Sequence, residues 1–91
     1  MPKKTENMSY NIVFSRDAEK QFKKLPKKAK DKIAKAIFGL AVNPLLGEKL
    51  HGELEGKYKI KVWPYRIIYQ IFHNKLLIVI VRVQHRQGAY K

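Results

Sequence analysis

The first regular pattern along the chain is a short run of apolar side chains at alternate positions. Tyr10, Ile12 and Phe14 form this run, which predicts a short β-strand. Ser15 follows with a hydroxyl that suits a helix N-cap, and Asp17 lies where a helix dipole favours a carboxylate. The sequence therefore predicts a helix directly after the strand.

Two amphipathic helical stripes follow, separated by Pro26. The apolar positions of the first stripe recur at helical spacing and are Ala18, Phe22 and Leu25. Those of the second stripe are Ala29, Ile33, Ala36, Ile37 and Leu40. Pro26 ends the first helix and suits the first turn of the second, which Asn43 and Pro44 terminate. Because each stripe covers a single face, the pair predicts a helical hairpin packed against a sheet.

Three further strands are predicted in the second half of the chain. Residues 58–62 alternate cleanly, residues 65–72 form a mixed run, and residues 76–83 are nearly all apolar. The breaks at 63–64 and 73–75 are short enough to require antiparallel hairpins. The order β-α-α-β-β-β indicates an α+β fold, with an antiparallel sheet packed against an N-terminal helical hairpin.

Residues 45–57, which connect the second helix to these strands, read as a loop with three glycines. Leu46, Leu50 and Leu54 recur at every fourth position within it. Since leucines exposed to water are unfavourable, we expect this loop to be ordered in part.

Length and composition limit the class of protein. With 91 residues, the chain has room for one domain, predicted over 10–91, after a polar leader over 1–9. The absence of cysteine excludes disulfides and thiolate metal sites, and the three histidines do not cluster, so neither a metal nor a cofactor is expected. We find no secretory signal and no apolar run long enough to span a membrane, which predicts a cytoplasmic protein without a membrane partner.

The charge is the most informative bulk property. Twenty Lys and Arg oppose seven Asp and Glu, which gives a net charge of +13. Such an imbalance favours a polyanionic partner, namely nucleic acid, the ribosome or an acidic protein. No Asp or Glu occurs from Gly56 to the last residue, so nothing within that segment neutralises its cations.

The expected strand registers gather several of these cations. If 63–64 form a two-residue turn, Lys61 opposes Arg66, and opposed residues of an antiparallel pair share a face. If Phe72 pairs with Leu76 across a three-residue loop, Arg66 also opposes Arg82. The predicted face carries Lys59, Lys61, Arg66, Arg82 and Arg86. A slip of one residue would separate the set, and a merely solvated basic face is the competing interpretation.

These segments also resemble a known family. The resemblance is carried by residues 50–62 (LHGELEGKYKIKV), 65–69 (YRIIY), 83–86 (VQHR) and Tyr90-Lys91, together with Phe14-Ser15, Lys24-Leu25-Pro26 and Asn43-Pro44. In this order and spacing they are similar to the RelE branch of the RelE/ParE toxins, from about Tyr10 to the last residue.

The resemblance implies a RelE/ParE-like, microbial RNase-like fold and a toxin of a type II toxin-antitoxin system. Its expected activity is that of a metal-independent endoribonuclease that cleaves mRNA in the ribosomal A site and inhibits translation. An acidic, RelB-like antitoxin would bind it in a hetero-oligomer. The family's catalytic pattern matches Lys59, Lys61, Arg66, Arg86 and Tyr90.

Elementary chemistry is compatible with that set. RNA cleavage by the 2′-hydroxyl needs a proton acceptor, charge stabilisation at phosphorus and a proton donor for the leaving 5′-oxygen. Arg66 and Arg86 suit the phosphate, because a guanidinium is always charged and forked. Lys59 or Lys61 is a candidate base, since nearby positive charge favours a neutral amine. Tyr90 is a candidate for stacking or for proton transfer.

Some residues depart from the family pattern or allow a second interpretation. Trp63-Pro64 replaces the small or polar residues usual at that turn, and Trp63 is a candidate either for stacking on RNA or for packing. His85 and Arg82 are possible additional site residues, although strand alternation directs His85 to the face opposite Arg86. His51 and His73 lie in a loop and a turn without an expected role.

Two alternative functions share the same fold or charge. A ParE-like inhibitor of DNA gyrase would lack nuclease activity, and the complete catalytic pattern argues against it. A non-catalytic, basic RNA- or ribosome-binding module would use the same cationic face, so only an activity measurement separates it from a nuclease.

Overall fold

The structure is a computed structural model that describes residues 9–86. Its helices and strands, in chain order, are β1 (Asn11–Phe14), α1 (Arg16–Lys23), α2 (Lys27–Val42), β2 (Glu48–Lys49), β3 (Tyr58–Val62), β4 (Tyr65–Phe72) and β5 (Leu77–His85). Short 3-10 turns occupy Pro44–Leu46, Gly52–Leu54 and His73–Lys75. The α+β class and the predicted order are confirmed, with the short strand β2 added inside the segment expected to be a loop.

The five strands form one mixed sheet in the order β1-β5-β4-β3-β2. Neighbours are antiparallel except that β1 runs parallel to β5, so the prediction of a purely antiparallel sheet was wrong at this edge. The reason is that tight turns set the direction of β4 and β5, whereas β1 is separated from β5 by most of the chain.

The helices begin and pack as their patterns predict. The Ser15 hydroxyl accepts a hydrogen bond from the Ala18 amide at 3.0 Å and caps α1, and α2 follows Pro26 directly. Both helices cover one face of the sheet, and the largest fully buried side chains of this core are Tyr69, Ile33, Leu40, Ile67, Ile78 and Ile80. Burial of each large apolar side chain contributes about 1.5–3 kcal/mol. No helix within residues 9–86 is long and apolar enough to cross a membrane.

The β4–β5 hairpin differs from the prediction at two places. Leu76 has a left-handed backbone (φ 49°), so Phe72 pairs with Leu77 rather than with Leu76. A β-bulge then leaves Val81 between the paired residues Ile80 and Arg82 and shifts the register by one more residue. Each change moves β5 by one position, and together they move it by two.

The two shifts together change the cross-strand partner of Arg66, but they leave the cations on the predicted face of the sheet. Arg66 opposes Gln84, and Arg82 opposes Ile68, so the predicted Arg66–Arg82 pair was wrong. A shift of two residues nevertheless preserves the face of every side chain, because strand alternation has a period of two.

The bulge is held by residues from the N-terminal elements. The Ser15 amide donates to the Ile80 carbonyl and the Ser15 hydroxyl donates to the Val81 carbonyl, each at 2.9 Å. The side-chain oxygen of Gln21 on α1 accepts a hydrogen bond from the Val83 amide at 2.8 Å. These contacts satisfy backbone groups near the irregularity, so the start of α1 and the register of β5 depend on each other.

Tyr69 fixes the start of the segment from Pro44 to Lys57. The buried Tyr69 hydroxyl donates to the Pro44 carbonyl at 2.7 Å and accepts from the Gly47 amide at 3.0 Å. Leu50 and Leu54 are partly buried as expected, whereas Leu46 is 53% exposed. Partial order is therefore confirmed, but it does not come from burial of all three leucines.

Candidate nucleic-acid interface

The cations of the last three strands lie on the sheet face opposite the helices. Two rows of paired positions cross this face, one formed by Lys59, Ile68 and Arg82 and the other by Lys61, Arg66 and Gln84. Opposed residues share a face, and the intervening positions Ile67 and Val83 are buried in the core on the other side. The predicted Lys61–Arg66 pair is confirmed.

Arg86 extends the second row beyond the end of β5. Its amide donates to the Pro64 carbonyl at 2.7 Å, which ties it to the β3–β4 turn. Its guanidinium lies over the Trp63 indole, with the Cζ atom 4.8 Å from the ring centroid, in the geometry of a cation–π contact. We call the surface formed by Lys59, Lys61, Arg66, Arg82 and Arg86 the basic face.

A cleft of about 200 Å³ lies at the turn end of the basic face. Its lining residues are Lys61, Trp63, Pro64, Tyr65, Arg66 and Arg86. Three of the predicted catalytic cations are thus brought together around one concavity. Lys59 and Arg82 share the face but lie one step farther from the turn and do not line the cleft.

Lys59 is oriented by a residue that the sequence analysis did not select. Glu48 pairs with Lys59 across β2 and β3, and its carboxylate lies 3.6 Å from the Lys59 ammonium. The Lys59 side chain is 21% exposed and that of Glu48 is 72% exposed, so this ion pair is worth less than about 1 kcal/mol. Its effect is therefore to orient Lys59 at the edge of the face. The loop-like composition of residues 45–57 carried no signal for this pairing.

The remaining predicted site residues lie elsewhere. His85 pairs with Tyr65, and their rings meet edge to face with centroids 5.2 Å apart. Tyr65 packs against the core, so His85 lies on the helix side, as strand alternation predicted. Tyr90 lies outside the described residues. His73 contacts Tyr10 through a 2.9 Å hydrogen bond, and among residues 9–86 no cluster of His, Cys, Asp or Glu is arranged to hold a metal ion.

The electrostatics of the basic face follow from its composition. Strands β3, β4 and β5 carry no acidic residue, and the ion pair with Glu48 reaches only the Lys59 end of the face. The cleft therefore presents an ammonium and two guanidinium groups around a space large enough for a phosphate. One guanidinium can donate two parallel hydrogen bonds to two phosphate oxygens, so the arrangement can hold a phosphodiester in a defined orientation.

Comparison with known proteins identifies the class. The family described as the ParE toxin of type II toxin-antitoxin system, parDE, matches residues 12–90. The chain therefore belongs to the RelE/ParE superfamily of type II toxin-antitoxin toxins.

Within that superfamily the chain is similar to proteins named RelE or RelG. Toxin RelG of Mycobacterium tuberculosis is 33% identical over 86 residues, which cover 92% of this chain and 99% of the relative. The toxin-antitoxin complex RelBE2 of the same organism contains a chain that matches with a TM-score of 0.81 and 32% identity, covering 87% of this chain and 93% of that one. The isolated RelE toxin of Escherichia coli matches with a TM-score of 0.76 and 26% identity, covering 85% and 84% of the two chains. The resemblance seen in the sequence is confirmed.

Proposed function

We propose that this toxin is a metal-independent endoribonuclease that cleaves mRNA in the ribosomal A site and thereby inhibits translation. The observation that carries the proposal is the convergence of Lys61, Arg66 and Arg86 around one cleft, on a face that also bears Lys59. Relatives named RelE or RelG match nearly the whole chain and support the same activity.

The proposed reaction is attack of a ribose 2′-hydroxyl on the adjacent phosphorus. The 2′-oxygen forms a bond to phosphorus, the bond to the 5′-oxygen breaks, and the products end in a 2′,3′-cyclic phosphate and a 5′-hydroxyl. Arg66 and Arg86 stabilise the charge that develops on the phosphoryl oxygens. Lys61, or Lys59 beside it, accepts the proton of the 2′-hydroxyl, and Tyr90 stacks on a base or transfers a proton to the leaving oxygen.

The chemistry of the cleft supports dependence on the ribosome. Its described lining residues carry neither a carboxylate nor an imidazole. Its cations suit binding of the phosphodiester, and among the described lining residues only Lys61 and Tyr65 carry a group that could exchange a proton with the substrate. We infer that the ribosome positions the message and completes the site, so the isolated toxin should cleave free RNA slowly.

We further propose that an acidic, RelB-like antitoxin holds this toxin in a cytoplasmic hetero-oligomer. Similar chains occur in the solved RelBE complexes of M. tuberculosis and E. coli. The charge of +13 favours an acidic partner, because its docking releases counterions from both surfaces.

The test is induction of the toxin in cells, followed by mapping of new message ends that carry a 5′-hydroxyl. The wild type should arrest growth and cut within translated frames, whereas Lys61→Ala and Arg86→Ala should lose the cuts. Lys20→Ala is the matched control, since this exposed lysine lies on α1, on the helix side of the sheet.

Two results would contradict the proposal. Cuts that persist in both cleft variants would show that the basic face is not the catalytic surface. Growth arrest without cuts would favour one of the alternatives, and a supercoiling assay with purified gyrase would then separate a ParE-like inhibitor from a non-catalytic ribosome-binding module.

A further inference from the structure

Trp63 is a large apolar side chain left in water at the mouth of the cleft. Trp63 is the sole tryptophan of the chain, is 66% exposed, and lies in the turn between β3 and β4. A solvent-exposed indole contributes little to the core. Its position beside Lys61, Arg66 and Arg86 suggests a role in binding.

The turn that carries the indole is held by hydrogen bonds to its backbone, and the ring itself by one contact. The Lys32 ammonium, reaching from α2, donates to the Trp63 carbonyl at 2.8 Å. The Arg86 amide donates to the neighbouring Pro64 carbonyl, and the Arg86 guanidinium packs over the ring itself. A turn fixed at these points loses little conformational entropy when a ligand binds to it, which is the requirement for a pre-organised binding platform.

We propose that Trp63 is a base-stacking residue, which binds the nucleobase adjacent to the phosphate held by Lys61, Arg66 and Arg86. This inference rests on the proposed function and assigns its substrate contact. Aromatic rings in single-strand binding sites stack on bases of any sequence, because every base has a π-face. Such a contact usually changes affinity by about 5- to 150-fold per base.

The location of the contact implies an influence on sequence preference. A base stacked at the cleft would flank the bond to be cut, and purines present a larger stacking surface than pyrimidines. Trp63 would therefore give this toxin a modest preference for a purine beside the cleavage position.

Tryptophan fluorescence tests the contact without a label on the protein. The probe is a short, dye-labelled, single-stranded RNA made uncleavable by 2′-deoxy substitution, in low salt, with binding followed by the anisotropy of the dye. The intact RNA should quench Trp63, whereas an RNA of equal length with abasic positions should bind through its phosphates and leave the emission nearly unchanged.

The outcomes of this experiment are distinct. Binding without quenching, or equal quenching by intact and abasic RNA, would overturn the stacking assignment and leave the proposed nuclease untouched. Failure of any RNA to bind at low salt would overturn the stacking assignment, whereas the nuclease, which the ribosome completes, is tested separately by mapping message ends in cells. Quenching by intact RNA together with an absence of cuts in cells would retain the contact and reject the nuclease.

A second measurement separates stacking from a role in orienting Arg86. Purified ribosomes are programmed with messages that carry a purine, a pyrimidine or an abasic nucleotide beside the cut. Trp63→Leu should slow cleavage of the purine message about 5- to 150-fold and leave the rate on the abasic message unchanged, with Trp63→Phe in between. Equal slowing on all messages would overturn the assignment, because the loss would then not depend on the base. Circular dichroism confirms that each variant is folded.

Discussion

Lys61 and Arg66 face each other directly across β3 and β4, so two cations occupy one cross-strand pair. Opposed like charges destabilise an antiparallel pair by roughly 0.2–1 kcal/mol. The pair lies at the cleft that Arg86 also lines. A phosphodiester bound at this pair would offset the repulsion between the two charges.

Lys61→Gln should therefore raise stability while lowering activity. We expect the free energy of unfolding to increase by about 0.2–1 kcal/mol in low salt, because the substitution removes one charge of the pair. Urea unfolding at low and high ionic strength measures the effect, which should shrink as salt screens the repulsion. With Lys20→Gln as the control for net charge, an equal gain in both variants, or none in Lys61→Gln, would contradict this prediction.

Gln21 should be required for the register of β5. Replacement by Ala leaves the Val83 amide without its side-chain partner, and the expected loss is about 1–3 kcal/mol in the free energy of unfolding. Gln21→Glu is the matched control, since its carboxylate keeps an acceptor at the same position. Chemical denaturation compares the two variants. If they lose stability equally, the hydrogen bond is not the cause.

Gly47 should not tolerate a side chain. A Cβ atom there would lie 2.5 Å from the Tyr69 hydroxyl and 2.6 Å from the Lys59 carbonyl, so Gly47→Ala must displace the β3 backbone or the buried tyrosine. The helical Gly39 provides a control, because its added Cβ would meet only Leu46 at an ordinary 3.5 Å. Thermal unfolding should show a loss for Gly47→Ala and a gain of about 1 kcal/mol for Gly39→Ala. The reverse order would contradict the packing described for Tyr69.

Tyr69 should make stability decline in alkali. Burial raises the pKa of Tyr69, partly offset by its hydrogen bond with Gly47, while an unfolded tyrosine ionises near pH 10. Above about pH 10 the unfolded state releases this proton and the folded state retains it, so the free energy of unfolding falls by up to about 1.4 kcal/mol per pH unit.

Tyr69→Phe isolates this contribution. The variant should lose about 1–3 kcal/mol at neutral pH, because the Pro44 carbonyl and the Gly47 amide lose their partner. It should also lack the part of the alkaline decline that Tyr69 causes. Parallel pH profiles of the two proteins in denaturant titrations would show that Tyr69 does not titrate on unfolding as described.

The β3–β4 register was predictable because it depends on neighbouring residues. Two residues separate the strands, and a turn that short permits little variation, so the Lys61–Arg66 pair followed from the spacing. The β4–β5 register was not predictable in the same way. It depends on the left-handed backbone of Leu76 and on a bulge at Val81, and neither position has a residue type that signals the irregularity.

The basic face was nevertheless predicted with its correct members. The hairpin shifts the register of β5 by one residue from the prediction, and the bulge shifts it by one more in the same direction. Because side chains alternate with a period of two, a shift of two leaves each cation on the predicted side of the sheet. Either irregularity alone would have turned Arg82 and Arg86 toward the helices.

The sequence alone determined four features, because they depend on composition and on neighbouring residues. These are the order of the elements, the helical stripes, the absence of acidic residues after Glu55, and the opposed pair of Lys61 and Arg66. Tertiary structure decided the parallel edge strand, the bulge held by Ser15 and Gln21, the ion pair of Glu48 with Lys59 and the anchoring of the Trp63 turn. Each of these joins groups that lie apart in the chain, so the partners are set by the packing of distant elements and not by neighbouring residues.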